Sequence, residues 1–166
     1  MQIQIRDATE QDIAAMLSIY NDVLASSTAI FSDVPRSHVE QFSWFKDRVA
    51  QQRPVLVATC SDDVIGYASY GPFRTWPGYR HTVENSIYLA SAARGKGAGT
   101  LLLRALLERA ESQRVHAVIA GIDGDNIVSM RLHEKLGFSK VAQLKEVGRK
   151  FDRWLDLVFY QRLLGS

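Results

Sequence analysis

A short glycine-rich segment in the second half of the chain has the composition of an anion-binding turn. Residues 93–106 read ARGKGAGTLLLRAL, with three glycines, an arginine and a lysine inside the six residues from Arg94 to Gly99. Closely spaced glycines let backbone N–H groups approach a ligand, and the N-terminus of the helix that follows favours negative charge. The segment therefore predicts a phosphate-binding turn, with a turn made only for packing as the alternative.

Two widespread phosphate-binding motifs do not describe this turn. The nucleoside-triphosphate motif G-x-x-x-x-G-K-[ST] does not occur in the sequence, and the dinucleotide motif G-x-G-x-x-G fails because Gly99 comes one residue too early. The pattern that remains is R-x-x-G-x-G, which runs from Arg94 to Gly99 between a predicted strand and a predicted helix. The identity of the phosphate must therefore come from the rest of the sequence.

A glutamate interrupts an apolar strand-like segment just before the turn. Residues 83–89 read VENSIYL, and strand alternation puts Glu84, Ser86 and Tyr88 on one face. A buried carboxylate is costly unless it is paired or functional. Glu84 is therefore a candidate functional carboxylate. A structural ion pair with an arginine is the alternative.

The segment 71–81, GPFRTWPGYRH, contains candidate substrate contacts. Arg74 or Arg80 could hold a carboxylate through two parallel hydrogen bonds. Trp76, together with Phe31 from an earlier loop, could wall a substrate side chain. Exposed arginines are more often simply solvated, so both interpretations of the two arginines stay open.

A later helix carries polar residues on one face. Asn126 opens this helix, and Met130 and His133 follow at i+4 and i+7. His133 could donate a proton to a leaving group, or it could be a hydrogen-bonded structural histidine.

The elements that position these residues follow from periodicity and capping signals. Thr9 with Asp12 and Ser37 with Glu40 predict helix starts, and Gly137 predicts a helix end. The predicted order is β-α-α-β-β-β-α-β-α-β-β, with the last two strands at residues 141–144 and 155–161. This order implies one mixed sheet with helices on both faces, and the glycine turn and its helix cross between two parallel strands.

Composition narrows the class of protein. The chain has 166 residues and a formal net charge of +2, which predicts a single domain over residues 1–166 and does not suggest a nucleic-acid partner. Cys60 is the one cysteine in the sequence, so no internal disulfide or cysteine-rich metal site is expected. No leader peptide or membrane span is visible, which predicts a cytoplasmic protein.

Several motifs together resemble one family. The glycine turn, Asn126 and KLGF at 135–138 resemble the GNAT superfamily of N-acetyltransferases. The motifs IYNDV, GYASYGPFR, TVENSIYL, RLHEKLGF and RWLDLVFYQ resemble its phosphinothricin acetyltransferase branch, whose members also acetylate methionine sulfone and methionine sulfoximine. The resemblance covers nearly the whole chain and implies an α+β, mixed α/β fold. It further implies a single twisted sheet of about seven strands that splays between strands four and five.

The resemblance also implies roles for particular residues. Acetyl-CoA would be the co-substrate, with no metal, and its contacts would come from Ile87, Tyr88, Leu89, Arg94, Gly95, Lys96, Gly97, Ala98, Gly99, Thr100, Asn126 and Ser129. Glu84 takes the family's base position, and His133 stands where many members carry a tyrosine acid. Acceptor contacts would come from Phe31, Arg74, Thr75, Trp76, Arg80, Glu84, Asn85 and Ser86.

These observations predict acetyl transfer to the amine of a small amino-acid analogue by a homodimeric enzyme. Asn85 stands where relatives often carry histidine, which leaves the acceptor open. Acetylation of a protein N-terminus or lysine is the alternative enzyme function. A non-catalytic acetyl-CoA sensor is the alternative outside catalysis, and Glu84 argues against it.

Overall fold

The computed structural model describes residues 2–165, in which one sheet of seven strands carries four α-helices. In chain order the elements are β1 (Ile3–Asp7), α1 (Ile13–Ser26), α2 (His38–Ala50), β2 (Val55–Cys60), β3 (Asp63–Pro72), β4 (Thr82–Leu89), α3 (Ala98–Ser112), β5 (Ala117–Asp123), α4 (Ile127–Lys135), β6 (Ser139–Lys150) and β7 (Arg153–Leu163). The order of elements and the mixed sheet predicted from the sequence are confirmed.

The sheet opens in its middle. Its strand order is β1-β2-β3-β4-β5-β7-β6, and β4 with β5 is its parallel pair. These two strands pair only over three positions, from Thr82 opposite Ala117 to Glu84 opposite Ile119. Beyond Glu84, β4 stays paired with β3 and β5 stays paired with β7, so the two halves of the sheet diverge. This confirms the predicted splay between the fourth and fifth strands.

The helices pack on opposite faces of the sheet. Leu102, Leu103 and Leu106 of α3 pack with Val83 and Val118 in one core cluster. Met16 and Val23 of α1 pack with Val57 and Tyr67 in the other. Alternation along β4 therefore sends Val83 towards α3 and the Tyr88 ring towards Tyr20 of α1, with the ring centroids 5.4 Å apart. Glu84 and Ser86 lie on the same face as Tyr88.

The local signals in the sequence correspond to observed caps. Ser37 and Glu40 form a capping box at the start of α2, where the Ser37 backbone N–H donates to the Glu40 carboxylate at 2.7 Å. Thr9 and Asp12 form the same box at the start of a short 3₁₀ turn that leads into α1. Gly137 follows α4 with a φ of 85°, as a helix-ending glycine requires.

The two last strands are longer than predicted. They cover Ser139–Lys150 and Arg153–Leu163, whereas the alternation of apolar residues predicted 141–144 and 155–161. Register shifts between Lys140 and Ala142 and between Leu144 and Gly148 break the alternation along β6. In addition, β6 is mostly exposed, so its polar residues hide the strand pattern. No helix within residues 2–165 is both long and apolar enough to cross a membrane.

Candidate active site

A cleft passes through the opening between β4 and β5. Its volume is about 290 Å³, and its walls come from both halves of the sheet, α4 and the loop that follows α1. The lining residues are Ala29, Ile30, Phe31, Glu84, Asn85, Ser86, Ile87, Tyr88, Ala120, Gly121, Ile122, Asp123, Asn126, Ser129 and His133. The structure thus brings together nine residues predicted from the sequence, which were assigned there to base, acceptor and coenzyme roles.

Glu84 lies where the two strands begin to diverge. Its side chain is half-buried, and no hydrogen bond or ion pair from residues 2–165 reaches the carboxylate. Burial raises the pKa of the Glu84 carboxyl above its ordinary value, while the Arg74 guanidinium opposes this rise. The structural ion pair considered as an alternative is not formed. An unpaired carboxylate with a raised pKa, open to a cleft, is suited to accepting a proton.

Asn85 and His133 lie on the opposite face of β4 from Glu84. The Asn85 amide donates to His133 Nε2 at 3.1 Å, and His133 Nδ1 donates to the Ser129 carbonyl oxygen at 2.7 Å. A carbonyl oxygen can only accept, so the ring proton sits on Nδ1 and Nε2 is the acceptor. Burial lowers the pKa of His133, with the bond to Ser129 opposing. A neutral histidine with both nitrogens occupied matches the structural alternative better than the proton-donor role.

Asn85 has a buried hydrogen-bond acceptor without a partner in the described part of the chain. Its residue is 8% exposed, and its Oδ1 has no hydrogen-bond partner among residues 2–165. A buried acceptor without a donor costs free energy until a ligand or water supplies one. Asn85 was predicted as an acceptor contact, and the structure places its side chain on the α4 side of the sheet, where it contacts His133.

The glycine turn stands at the N-terminus of α3. Gly95 and Gly97 have φ angles of 72° and 89°, and an added Cβ would meet nothing within 4 Å at either position. Glycine is therefore needed at these two positions for the backbone conformation and not for packing. Gly99 differs, since its Cβ would lie 3.2 Å from Leu132 of α4. The first N–H groups of α3 lack intrahelical acceptors, which fits an anionic ligand such as a pyrophosphate.

Asn126 begins α4 at the edge of the cleft. Its Oδ1 accepts a hydrogen bond from the Ser129 backbone N–H at 3.1 Å, so Asn126 caps the helix. Asn126 and Ser129 both line the cleft, on the same side as Asn85. The glycine turn itself is not part of the cleft wall.

Two buried charged residues near the cleft were missed by the sequence analysis. Asp123, at the end of β5, accepts a hydrogen bond from the Thr28 hydroxyl and another from the Asp125 backbone N–H at 3.2 Å. Lys150, at the end of β6, donates to the carbonyl oxygens of Leu24 (2.5 Å), Ser27 (2.8 Å) and Ile30 (2.9 Å). They hold residues 27–31, the loop after α1, against the sheet. The partners of Asp123 and Lys150 in residues 24–30 are more than 90 positions away in the chain, so no local pattern marks these contacts.

The aromatic segment 71–81 lies outside the cleft wall. Arg74, Thr75, Trp76 and Arg80 are exposed, and Trp76 is 74% exposed. The Arg74 guanidinium stacks 4.1 Å from the Phe73 ring centroid, and Phe73 packs edge-on against Phe159 of β7. The segment therefore borders the Glu84 face without enclosing it. Phe31, in contrast, lines the cleft, and its ring covers Gly148 of β6.

Comparisons with known proteins agree with this geometry. The Acetyltransferase (GNAT) family model matches residues 16–138. The L-methionine sulfoximine/L-methionine sulfone acetyltransferase of Pseudomonas aeruginosa is 45% identical over 162 residues, which is 97% of this chain and 94% of that protein.

Two solved structures have almost the same backbone. The ribosomal-protein-alanine N-acetyltransferase from Brucella melitensis has a TM-score of 0.95 at 46% identity, over 97% of this chain and 99% of that chain. A phosphinothricin acetyltransferase from Sinorhizobium meliloti, in complex with acetyl-CoA, has a TM-score of 0.97 at 37% identity, over 99% of this chain and 90% of that chain.

Proposed function

Because the chain belongs to the GNAT acetyltransferase family, we propose that it acetylates the amino group of a small amino acid of the methionine sulfoximine, methionine sulfone or phosphinothricin type. It is an N-acetyltransferase, and acetyl-CoA is its acetyl donor. The observation that carries the acceptor chemistry is the unpaired carboxylate of Glu84, which lines the cleft where β4 leaves β5. Relatives whose names include the three acceptors support the substrate class.

Glu84 is proposed as the general base. An amine is mostly protonated at neutral pH and cannot attack until it loses a proton. Burial raises the pKa of the Glu84 carboxyl towards neutral pH, which makes the carboxylate a stronger base. In direct transfer Glu84 takes one proton from the ammonium group, and the free amine then forms the N–C bond while the C–S bond of the thioester breaks. Coenzyme A leaves as the thiolate and takes up the second proton that the nitrogen loses. The acetyl group passes directly from acetyl-CoA to the amine. Cys60, the cysteine that could otherwise carry it, does not line the cleft.

The chain's own residues for holding acetyl-CoA lie on the α3 and α4 side. The backbone of residues 94–100 would hold the pyrophosphate at the start of α3. The edge of β4 at Ile87, Tyr88 and Leu89 has no strand partner on the β5 side, so its backbone groups are free to pair with an extended ligand.

The test is Glu84→Gln, which keeps the shape of the side chain and removes its basicity. The turnover rate with methionine sulfone should fall about 10²–10⁴-fold, the usual contribution of general base catalysis. The wild-type rate should fall with decreasing pH as Glu84 is protonated, at a pH above the ordinary glutamate value, and the variant should lose this step. Acetyl-CoA affinity should stay unchanged by calorimetry. The exposed Glu108→Gln is the matched control. A Glu84→Gln variant with near wild-type rates across pH would refute the base role.

Acetylation of a protein N-terminus is the second candidate. The Brucella melitensis structure, whose name includes ribosomal-protein alanine, favours it. Against it stand the small volume of the cleft, about 290 Å³, and Phe31 in its wall, which leave little room for a peptide. A coenzyme-release assay decides between them. Turnover of an alanine-initiated peptide without turnover of methionine sulfone, methionine sulfoximine or phosphinothricin would replace the first proposal.

We also propose a homodimer through the hairpin of β6 and β7. β6 is an edge strand of 12 residues, and an open edge with apolar side chains invites pairing. The hairpin exposes Val141, Leu144, Val147, Phe151, Trp154 and Leu163. Since Phe31 covers Gly148, this interface would lie beside the acceptor side of the cleft. A single domain over residues 1–166 and a cytoplasmic location stay predictions from the sequence.

A further inference from the structure

Gly121 is a glycine in the interior of β5 that backbone conformation does not explain. It pairs with Phe159 of β7, and its φ is not among the positive values of the chain. This backbone conformation would accept a larger residue. Glycine in the interior of a strand also lowers stability by roughly 0.5–1 kcal/mol relative to alanine. The reason for glycine must lie in the space around it.

Three side-chain atoms converge on the place where a Cβ of residue 121 would stand. That Cβ would lie 3.3 Å from Glu84 Oε1, 3.5 Å from Leu157 Cδ1 and 3.6 Å from Phe159 Cε1. The first distance is tighter than ordinary Cβ contacts, so the carboxylate would have to shift by a few tenths of an ångström. The side-chain space of Gly121 thus adjoins Glu84 on one side and an apolar floor of Leu157 and Phe159 on the other.

The apolar floor has a rigid backing. Phe159 packs edge-on against Phe73, with ring centroids 6.2 Å apart, and Leu157 lies on the same β7 strand. Because packed aromatic rings do not retreat freely, a methyl group added at residue 121 reduces the open space and does not merely push the floor back.

We propose that Gly121 sets the length of acceptor side chain that fits beside Glu84. The absent side chain leaves a gap next to Oε1, which accommodates the α-carbon and first methylenes of an acceptor whose amine faces the carboxylate. The apolar floor favours an unbranched side chain of methionine length. This inference rests on the proposed function, since it assumes that Glu84 faces the acceptor amine.

The test compares two acceptors that differ by one methylene, methionine sulfone and S-methylcysteine sulfone, in wild type and Gly121→Ala. One methyl group in an apolar pocket changes kcat/KM by about 10–200-fold. We expect Gly121→Ala to lower the ratio of kcat/KM for the longer over the shorter acceptor by at least about tenfold. Acetyl-CoA affinity and the unfolding temperature should not fall. Gly78→Ala, whose added Cβ meets nothing within 4 Å, is the matched control.

Leu157→Ala provides the opposite change. It widens the same space and should raise the ratio, and combined with Gly121→Ala it should restore the wild-type preference. If Gly121→Ala lowers kcat/KM equally for both acceptors, Gly121 only leaves room for the Glu84 carboxylate. If the ratio of kcat/KM is unchanged in both variants, Gly121 has no role in acceptor selection. Either result overturns the inference while the proposed function stands. If the wild type acetylates neither these sulfones nor the other small acceptors, the proposed function fails and the inference falls with it.

Discussion

Replacing Lys150 with methionine tests how the loop after α1, residues 27–31, is held. The side chain keeps its length and apolar stem, and what disappears is an ammonium that donates to three carbonyl oxygens, those of Leu24, Ser27 and Ile30. Lys150 is 4% exposed, so water replaces the ammonium poorly. The loop at 27–31 should lose its anchor at the end of β6 while keeping the bond between Thr28 and Asp123.

The expected loss of stability follows from the burial of each bond. The bond to Leu24 is buried, so its carbonyl would be left without a partner at a cost of about 1–3 kcal/mol. The bonds to Ser27 and Ile30 are partly exposed, and each contributes about 0.5–1.5 kcal/mol. Burial lowers the pKa of Lys150, with Asp33 opposing, so removing the charge also relieves some desolvation. We therefore expect a loss of about 2–4 kcal/mol in the free energy of unfolding.

Urea and thermal unfolding measure the loss of stability, and an activity assay gives a separate readout. The unfolding temperature should fall by roughly 5–15 °C. Below that temperature the KM for methionine sulfone should rise while acetyl-CoA affinity is unchanged, because our proposal puts the acceptor beside this loop and the coenzyme on the α3 and α4 side. Lys145→Met on the same strand removes an exposed lysine and should change stability by less than about 0.5 kcal/mol. A Lys150→Met variant as stable as this control, with wild-type KM, would show that the three bonds do not hold the loop.

Two further predictions concern the coenzyme turn and the proposed dimer. Gly97→Ala places a Cβ on a residue with a φ of 89°, which costs about 1–2 kcal/mol. The affinity for acetyl-CoA, measured by calorimetry, should therefore fall about tenfold. The control Gly78→Ala should bind acetyl-CoA normally, and equal affinities of the two variants would contradict the role of the turn. Trp154 lies on the β6–β7 hairpin and is 59% exposed, so Trp154→Glu places a charge in the proposed interface and should convert the dimer to a monomer in sedimentation. A wild type that sediments as a monomer at micromolar concentration would refute the dimer itself.

The sequence predicted those features whose causes lie within a few residues. The capping box of Ser37 and Glu40, the helix-ending Gly137 and the helix-opening Asn126 depend on hydrogen bonds and φ angles that neighbouring residues determine. The alternation that put Glu84 on one face of β4 depends only on strand geometry. The family resemblance supplied the splay, and the strand register confirms it.

Only the tertiary structure decided which side chains meet at the cleft. Asp123 contacts Thr28 across 95 positions, and Lys150 contacts Leu24 across 126. The approach of Gly121 to Glu84 depends on two strands that diverge directly after they pair. Strand order also left Arg74 and Trp76 outside the cleft and turned Asn85 towards His133. Such contacts depend on the register between distant strands, and the periodicity of each separate segment does not specify that register. The sequence therefore identified the chemical groups, and the fold determined their partners.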